Sequence, residues 1–137
     1  MYLLDTCVFS EFARPAPSPK VLEWAGTVKE ANQYLSVLVL GELLRGVERM
    51  PEGERRRTLG SWVDSLFETH RHRLVPVDAE VARAWAALCA DAEAEGRKAP
   101  AMDSLIAAQA LSRGLTLVTR DTEDFRYLRV TLLNPWV

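Results

Sequence analysis

Leu115-Thr116-Leu117-Val118-Thr119, followed at once by Arg120-Asp121, is the stretch on which the fold turns. It lacks the alternation of a strand with one wet face and reads as a buried strand of a parallel sheet. Parallel neighbours must be joined by crossovers, usually helical. Helices are therefore expected around it. Upstream, Pro100 opens a helix that Gly114 stops. Downstream, Val130-Thr131-Leu132-Leu133 is a last strand before Asn134-Pro135.

The same alternation continues toward the N-terminus. Asp78 is the N-cap of a helix from Ala79 to about Glu95, with Val81, Trp85, Leu88, Cys89 and Ala92 inward. Leu74-Val75-Pro76-Val77 is a strand that Pro76 confines to an edge or an end, because proline has no donor for the ladder. Glu54–His70 is amphipathic: Leu59, Trp62, Val63, Leu66, Phe67 and His70 fall at i, i+3, i+4, i+7, i+8 and i+11. Tyr34-Leu35-Ser36-Val37 is a strand running into a helix from about Leu38 to Met50, with an apolar arc of Val39, Leu40, Leu43, Leu44 and Val47. Tyr2-Leu3-Leu4 is the first strand; helices over Val8–Arg14 and Pro19 to about Val28 follow it. Strands alternating with helices make an α/β domain with a mainly parallel sheet and right-handed crossovers.

Composition narrows the function classes. Of the 137 residues, 48% are hydrophobic and 26% charged, which excludes a disordered chain. Seventeen basic and 19 acidic side chains give a net charge of −2. Nucleic acid would then be held by a local groove, not by bulk positive charge. Cys7 and Cys89 are too few for a disulfide framework and read as reduced thiols. No apolar run reaches the roughly 20 residues of a membrane span. Asp5 interrupts the first apolar segment too early for a signal peptide, so the expected location is cytoplasmic, with no membrane partner.

In a parallel α/β sheet, function gathers outside the C-terminal ends of the strands. Asp5 ends the first strand, and Asp121 follows the Leu115 strand. Glu42 lies early in the helix after the second strand, and Asp103 lies in the first turn of the helix opened by Pro100. Each acid alone has a structural reading: a solvated strand end for Asp5, a turn for Asp121, a helix-dipole partner for Asp103, a surface acid for Glu42. Together they call for a cation among them or protons shared between them, since crowded carboxylates resist joint ionisation. Oxygen ligands suit Mg²⁺ or Mn²⁺.

Four strings carry a family resemblance. Leu3-Leu4-Asp5-Thr6-Cys7-Val8 resembles the N-terminal signature of PIN-domain nucleases. The run from Ser36 through Glu42-Leu43 to Gly46, then Asp103-Ser104-Leu105-Ile106-Ala107-Ala108, then Val118-Thr119-Arg120-Asp121-Thr122-Glu123-Asp124-Phe125, resemble the family's later blocks in the same order. Asn134-Pro135-Trp136 is similar to the end of its VapC and FitB toxins. The resemblance implies a three-layer α/β/α domain over residues 1–137 with about five strands. It implies an acidic quartet of Asp5, Glu42, Asp103 and Asp121 that holds Mg²⁺ or Mn²⁺. Asp124, Thr119 and Thr6 are the supporting residues. Cys7 stands where the family usually has Asn, and a thiol is the weaker donor. The implied activity is a metal-dependent endoribonuclease toxin that forms a homodimer and is silenced by a cognate antitoxin. Arg45, Arg49, Arg97, Lys98 and Arg120 are the candidates for phosphates of the RNA substrate.

Other readings fit less well. A receiver domain would use Asp78 and Thr119, but Thr6 and Cys7 stand where it needs a second acid, and no lysine follows the last strand. A D-x-D phosphatase fails at Cys7. A non-catalytic co-repressor, which binds an antitoxin and tunes its hold on DNA, is the alternative. His70 is expected to be packed, and Arg55-Arg56-Arg57 to be a solvated helix start. Trp24, Trp62 and Trp85 are expected in the core or a dimer interface, with Trp136 docking the tail.

Overall fold

The computed structural model describes residues 1–137. Five short strands form the sheet: β1 (Tyr2–Leu4), β2 (Gln33–Ser36), β3 (Leu74–Val75), β4 (Thr116–Val118) and β5 (Leu132–Leu133). Seven helices surround it: α1 (Thr6–Phe12), α2 (Pro19–Thr27), α3 (Val37–Glu48), α4 (Glu54–His70), α5 (Ala79–Ala94), α6 (Ala101–Arg113) and α7 (Thr122–Phe125). The strand order is β3-β2-β1-β4-β5. Every ladder is parallel, with Leu3 level with Tyr34 on one side and Leu117 on the other. The chain winds outward from β1 to β3 and then returns to β4 on the far side of β1. Right-handed crossovers in opposite directions put helices on both faces. The reversal between β1 and β4 opens a crevice at their C-terminal ends.

The sheet is the centre of the core. Leu3, Leu4, Leu35, Val75, Leu117 and Val118 are fully buried, packed with Val8 and Phe9 of α1, Val39 of α3, and Ile106 of α6. Ala107, Ala108 and Ala110 are also buried, and their small side chains let α6 lie close to its neighbours. Truncating one such leucine to alanine costs about 2–5 kcal/mol.

Local chemistry sets the differences from the expected boundaries. α1 starts at Thr6, not Val8, because Asp5 caps it by accepting the Thr6 N–H at 2.8 Å. Pro15 follows its end, so Ala13 and Arg14 lie outside it. β2 and α3 meet one residue earlier than expected, because Ser36 caps α3 through the N–H groups of Leu38 and Val39. β3 stops at Val75, before the proline, and lies at the sheet edge as Pro76 requires. β5 is shortened because Arg129 adopts a left-handed backbone (φ 57°) after a 3₁₀ turn over Arg126–Leu128. Leu44, placed in the apolar arc of α3 by its spacing, is exposed at 40%. The helix buries only the narrower stripe of Val39, Leu43 and Val47. A short 3₁₀ turn at Glu30–Asn32 had no periodic signal.

Candidate active site

Asp5 leaves β1 at the reversal point and is 9% exposed. One carboxylate oxygen caps α1, and the other accepts the Thr119 hydroxyl at 2.8 Å. Thr119 leaves β4 beside it and is fully buried. Its single hydroxyl proton goes to Asp5, so its oxygen accepts the Asp121 N–H at 3.1 Å. The Cys7 sulfur lies 3.6 Å from that hydroxyl oxygen and 3.9 Å from Asp5, and accepts the Arg120 N–H at 3.4 Å. With the hydroxyl proton committed, the thiol is the donor to these oxygens. Cys7 thus fills the position with a weak donor that also receives a peptide N–H. Donor atoms of Asp5, Cys7 and Asp121 all lie within 4.8 Å of one another.

The other acids join from two helices. The Thr6 hydroxyl donates to Glu42 at 2.8 Å and ties α3 to the first residue of α1. Asp103, half-buried at the start of α6, stands in the field of Asp5, Asp124, Glu42 and Asp121. Burial first, and then that negative field, push its pKa up to about 6. Burial also raises the pKa of Asp5, against the hydrogen bonds from Thr119 and Thr6; Glu42 and Asp121 add to the rise. The Cys7 thiol is raised mainly by burial. The molecule's ion pairs all lie elsewhere, so no basic side chain neutralises these acids. The cluster concentrates negative charge and offers oxygen donors, a set that fits Mg²⁺ or Mn²⁺. Its one sulfur is the atypical member.

The candidate phosphate contacts are scattered. Arg45 is exposed on α3 and Arg49 is exposed just past its end, three and seven residues beyond Glu42. Arg97 lies over the Tyr127 ring at 4.9 Å, and Lys98 is exposed in the loop leading to α6. Arg120 lies over the Trp136 ring at 4.8 Å. From Thr6 and Glu42 a cleft of about 350 Å³ runs past Leu43 and Gly46 to Leu59 and Trp62. It shares Ala13, Pro15, Arg55, Leu59 and Trp62 with a groove of about 770 Å³ that also touches Phe12 and Met50. Arg55 thus faces a groove, whereas Arg56 pairs with Glu48.

His70 is packed as its spacing required. It is 3% exposed, hydrogen-bonded through Nδ1 to the Leu66 carbonyl and edge-on to the Phe9 ring. Trp85 donates its indole N–H to Ser104, and Trp24 packs edge-on to Tyr2. Two polar hubs had no reading at the level of sequence. Glu11, on the buried side of α1, is 4% exposed and binds the tail through Trp136. Its signal was an acid three residues after Val8 and one before Phe12 on an apolar stripe. Gln109, fully buried on α6, joins Ser36 to the Val75 and Pro76 carbonyls. A glutamine among the alanines of α6 was its only mark.

Comparison with known proteins agrees with this geometry. The PIN-domain family model matches residues 2–130. The toxin FitB of Neisseria gonorrhoeae is 35% identical over 137 residues, covering 99% of each chain. A VapC ribonuclease of Sinorhizobium fredii is 33% identical, covering 99% of this chain and 98% of its own. The structure of FitAB bound to a DNA fragment superposes with a TM-score of 0.94 at 33% identity, over 100% of this chain and 96% of that one. With β1 and β4 holding their acids at the reversal of a parallel sheet, the chain belongs to the PIN-domain family and has the FitB and VapC toxins among its relatives.

Proposed function

We propose that the chain is a Mg²⁺- or Mn²⁺-dependent endoribonuclease and the toxin of a toxin–antitoxin pair, acting in the cytoplasm as a homodimer of single PIN domains. The observation that carries this reading is the un-neutralised acidic cluster at the β1/β4 reversal. The ribonuclease name of the VapC relative and the toxin name of FitB support the substrate and the role.

Asp5, Glu42, Asp103 and Asp121 would hold the cation, which supplies charge neutralisation at the scissile phosphodiester. Thr119 and the Thr6 N–H keep the Asp5 carboxylate oriented. Thr6 orients Glu42. One carboxylate of the set would accept a proton from the attacking water, and Asp124 adds to the negative field at Asp103. Arg120, at the rim, and Arg45, Arg49, Arg97 and Lys98, further out, are the cations available to flanking phosphates.

The same negative field is a site for a basic side chain of an antitoxin. Its peptide would lie along the groove from Trp62 to Glu42. The structure of FitAB on DNA favours a second role for the bound pair, as a co-repressor. The deciding experiment is cleavage of single-stranded RNA with Mn²⁺, with EDTA, and with Asp103→Asn. Cleavage that needs Mn²⁺ and Asp103 supports the nuclease. Inactivity of the wild type leaves the co-repressor reading.

A further inference from the structure

No hydrogen bond or ion pair holds the carboxylate of Asp121, which is exposed. Its place depends on the backbone of the turn between β4 and α7. Three hydrogen bonds hold that turn. The Arg120 N–H donates to Cys7 on α1, the Asp121 N–H donates to Thr119, and the Arg120 carbonyl accepts from Asn134 Nδ2 at 3.4 Å. Above the turn, the Arg120 guanidinium rests on the Trp136 ring.

The tail that supplies Asn134 and Trp136 is itself anchored. The Trp136 N–H donates to Asn134 Oδ1 at 2.9 Å, and its indole N–H donates to Glu11 Oε1 at 3.3 Å. Glu11 also accepts the Ser18 N–H at 3.0 Å and pairs with Arg14. These contacts hold its carboxyl below the usual carboxylate range, the Ser18 peptide most of all. A buried, ionised side chain is costly unless fully partnered. Here its partners lie in the segment between α1 and α2 and in the tail.

We propose that Asn134 and Trp136 are positioning residues: they clamp Arg120 so that Asp121 stands beside Asp5 before a cation arrives. This rests on the metal-site reading above. A ligand on a loose turn would have to be ordered at the moment of binding, whereas a clamped one is ordered already. Cys7 completes the clamp from the other side of the turn, so a residue atypical of the family still serves its backbone.

The test is calorimetric titration of Mn²⁺ into the full chain. The variants are Asn134→Ala, Trp136→Leu, Trp136→Phe, Arg120→Ala, and Arg120→Ala combined with Trp136→Leu. Asn134→Ala and Trp136→Leu are expected to weaken Mn²⁺ binding about tenfold, as losses of outer supports do. Trp136→Phe, which keeps an aromatic face under Arg120, should recover most of the affinity. In the Arg120→Ala background, Trp136→Leu should cost little more. A tail that merely closes the fold would lower the melting temperature, leave Mn²⁺ affinity alone and show no dependence on Arg120; that result overturns the proposal. Should Trp136→Leu fail to fold, Asn134→Ala and Trp136→Phe still decide it. Wild-type protein that binds no Mn²⁺ overturns both this inference and the metal-site reading. Wild-type binding with unchanged affinity in the tail variants overturns this inference alone.

Discussion

The C-terminal edge of the sheet has two halves that treat polar groups in opposite ways. Beyond β2 and β3, Ser36 binds Gln109, Gln109 binds two carbonyls of the β3 end, and Asp78 is shared between the Val81 N–H and Arg113. Every strong group there has a partner of complementary character. Beyond β1 and β4, Asp5, Asp103, Asp121, Glu42 and Asp124 face one another with hydroxyls, a thiol and peptide N–H groups between them, and no base. The first half is complete within the chain. The second is an arrangement that repulsion disfavours unless a cation is supplied from outside. Function separates from structure here by charge balance, not by the presence of polar residues.

Substitution on each half should break this comparison most plainly. Asp5→Asn or Asp103→Asn is expected to lower Mn²⁺-dependent RNA cleavage by about 100-fold or more, the scale of a lost acid–base or ligand group. The metal-free fold should stay intact, because repulsion is relieved. Gln109→Ala should do the reverse: it strands buried carbonyls and costs about 2 kcal/mol in denaturant unfolding, while turnover by the folded fraction persists. Equal activity losses on both halves would erase the distinction.

Metal should act on one half only. A cation that binds the folded pocket and hardly the unfolded chain stabilises by about 2.7 kcal/mol at a hundredfold excess over its Kd. Thermal unfolding with and without Mn²⁺ measures this. Wild type and Gln109→Ala should gain alike, and Asp103→Asn much less. The antitoxin segment, if it brings a basic side chain to the same acids, should compete with Mn²⁺; additive stabilisation by the two would separate their sites.

The comparison also explains what was legible in the sequence. Strand ends and helix starts are local, so Asp5, Glu42 and Asp121 could be assigned to one edge from periodicity and topology, whereas Asp103, which follows a helix and a loop, joined them only through the family resemblance. Asp78 was legible for the same reason, as a cap one residue before a helix. Gln109 and Glu11 were not, because what makes them hubs is the burial of a polar side chain on an otherwise apolar face. That depends on partners 34 and 125 residues away in the chain, Val75 and Trp136. Leu44 erred in the other direction: helical spacing draws a wider arc than α3 has neighbours to cover. Pro76 and Gly114 marked their boundaries because backbone chemistry there is independent of context. The left-handed Arg129 carried no such mark.

The smallest effect expected, and the sharpest in sign, is the pH dependence of the metal-free fold. Asp103 has a folded pKa raised from 3.8 to about 6. Its contribution is therefore fully present below the unfolded value and is lost as pH rises through about 6. Asp5, also raised, acts in the same direction. His70 opposes them. Burial pushes its pKa below 6.5, and its Nε2 has no partner. Charging it in the fold is unfavourable, so its contribution is present above 6.5 and is lost as pH falls. Glu11 and Asp78, both held below their ordinary values of 4.5 and 3.8, titrate beneath this window. Between about pH 4.5 and 6.5 the acidic pocket and the histidine therefore pull the melting temperature in opposite directions. Asp103→Asn should make the slope of stability against pH more positive than in the wild type, and His70→Phe more negative. The Asp103 change should be on the order of 2–3 °C across the window, since Asp103 is only half-buried and water screens part of its field. Saturating Mn²⁺ should reverse the Asp103 contribution, because the cation favours the ionised form and binds more tightly as pH rises. A wild-type profile unchanged by Mn²⁺ at the top of the window would mean that Asp103 does not feel the cation, and the charge imbalance of that half would need another partner.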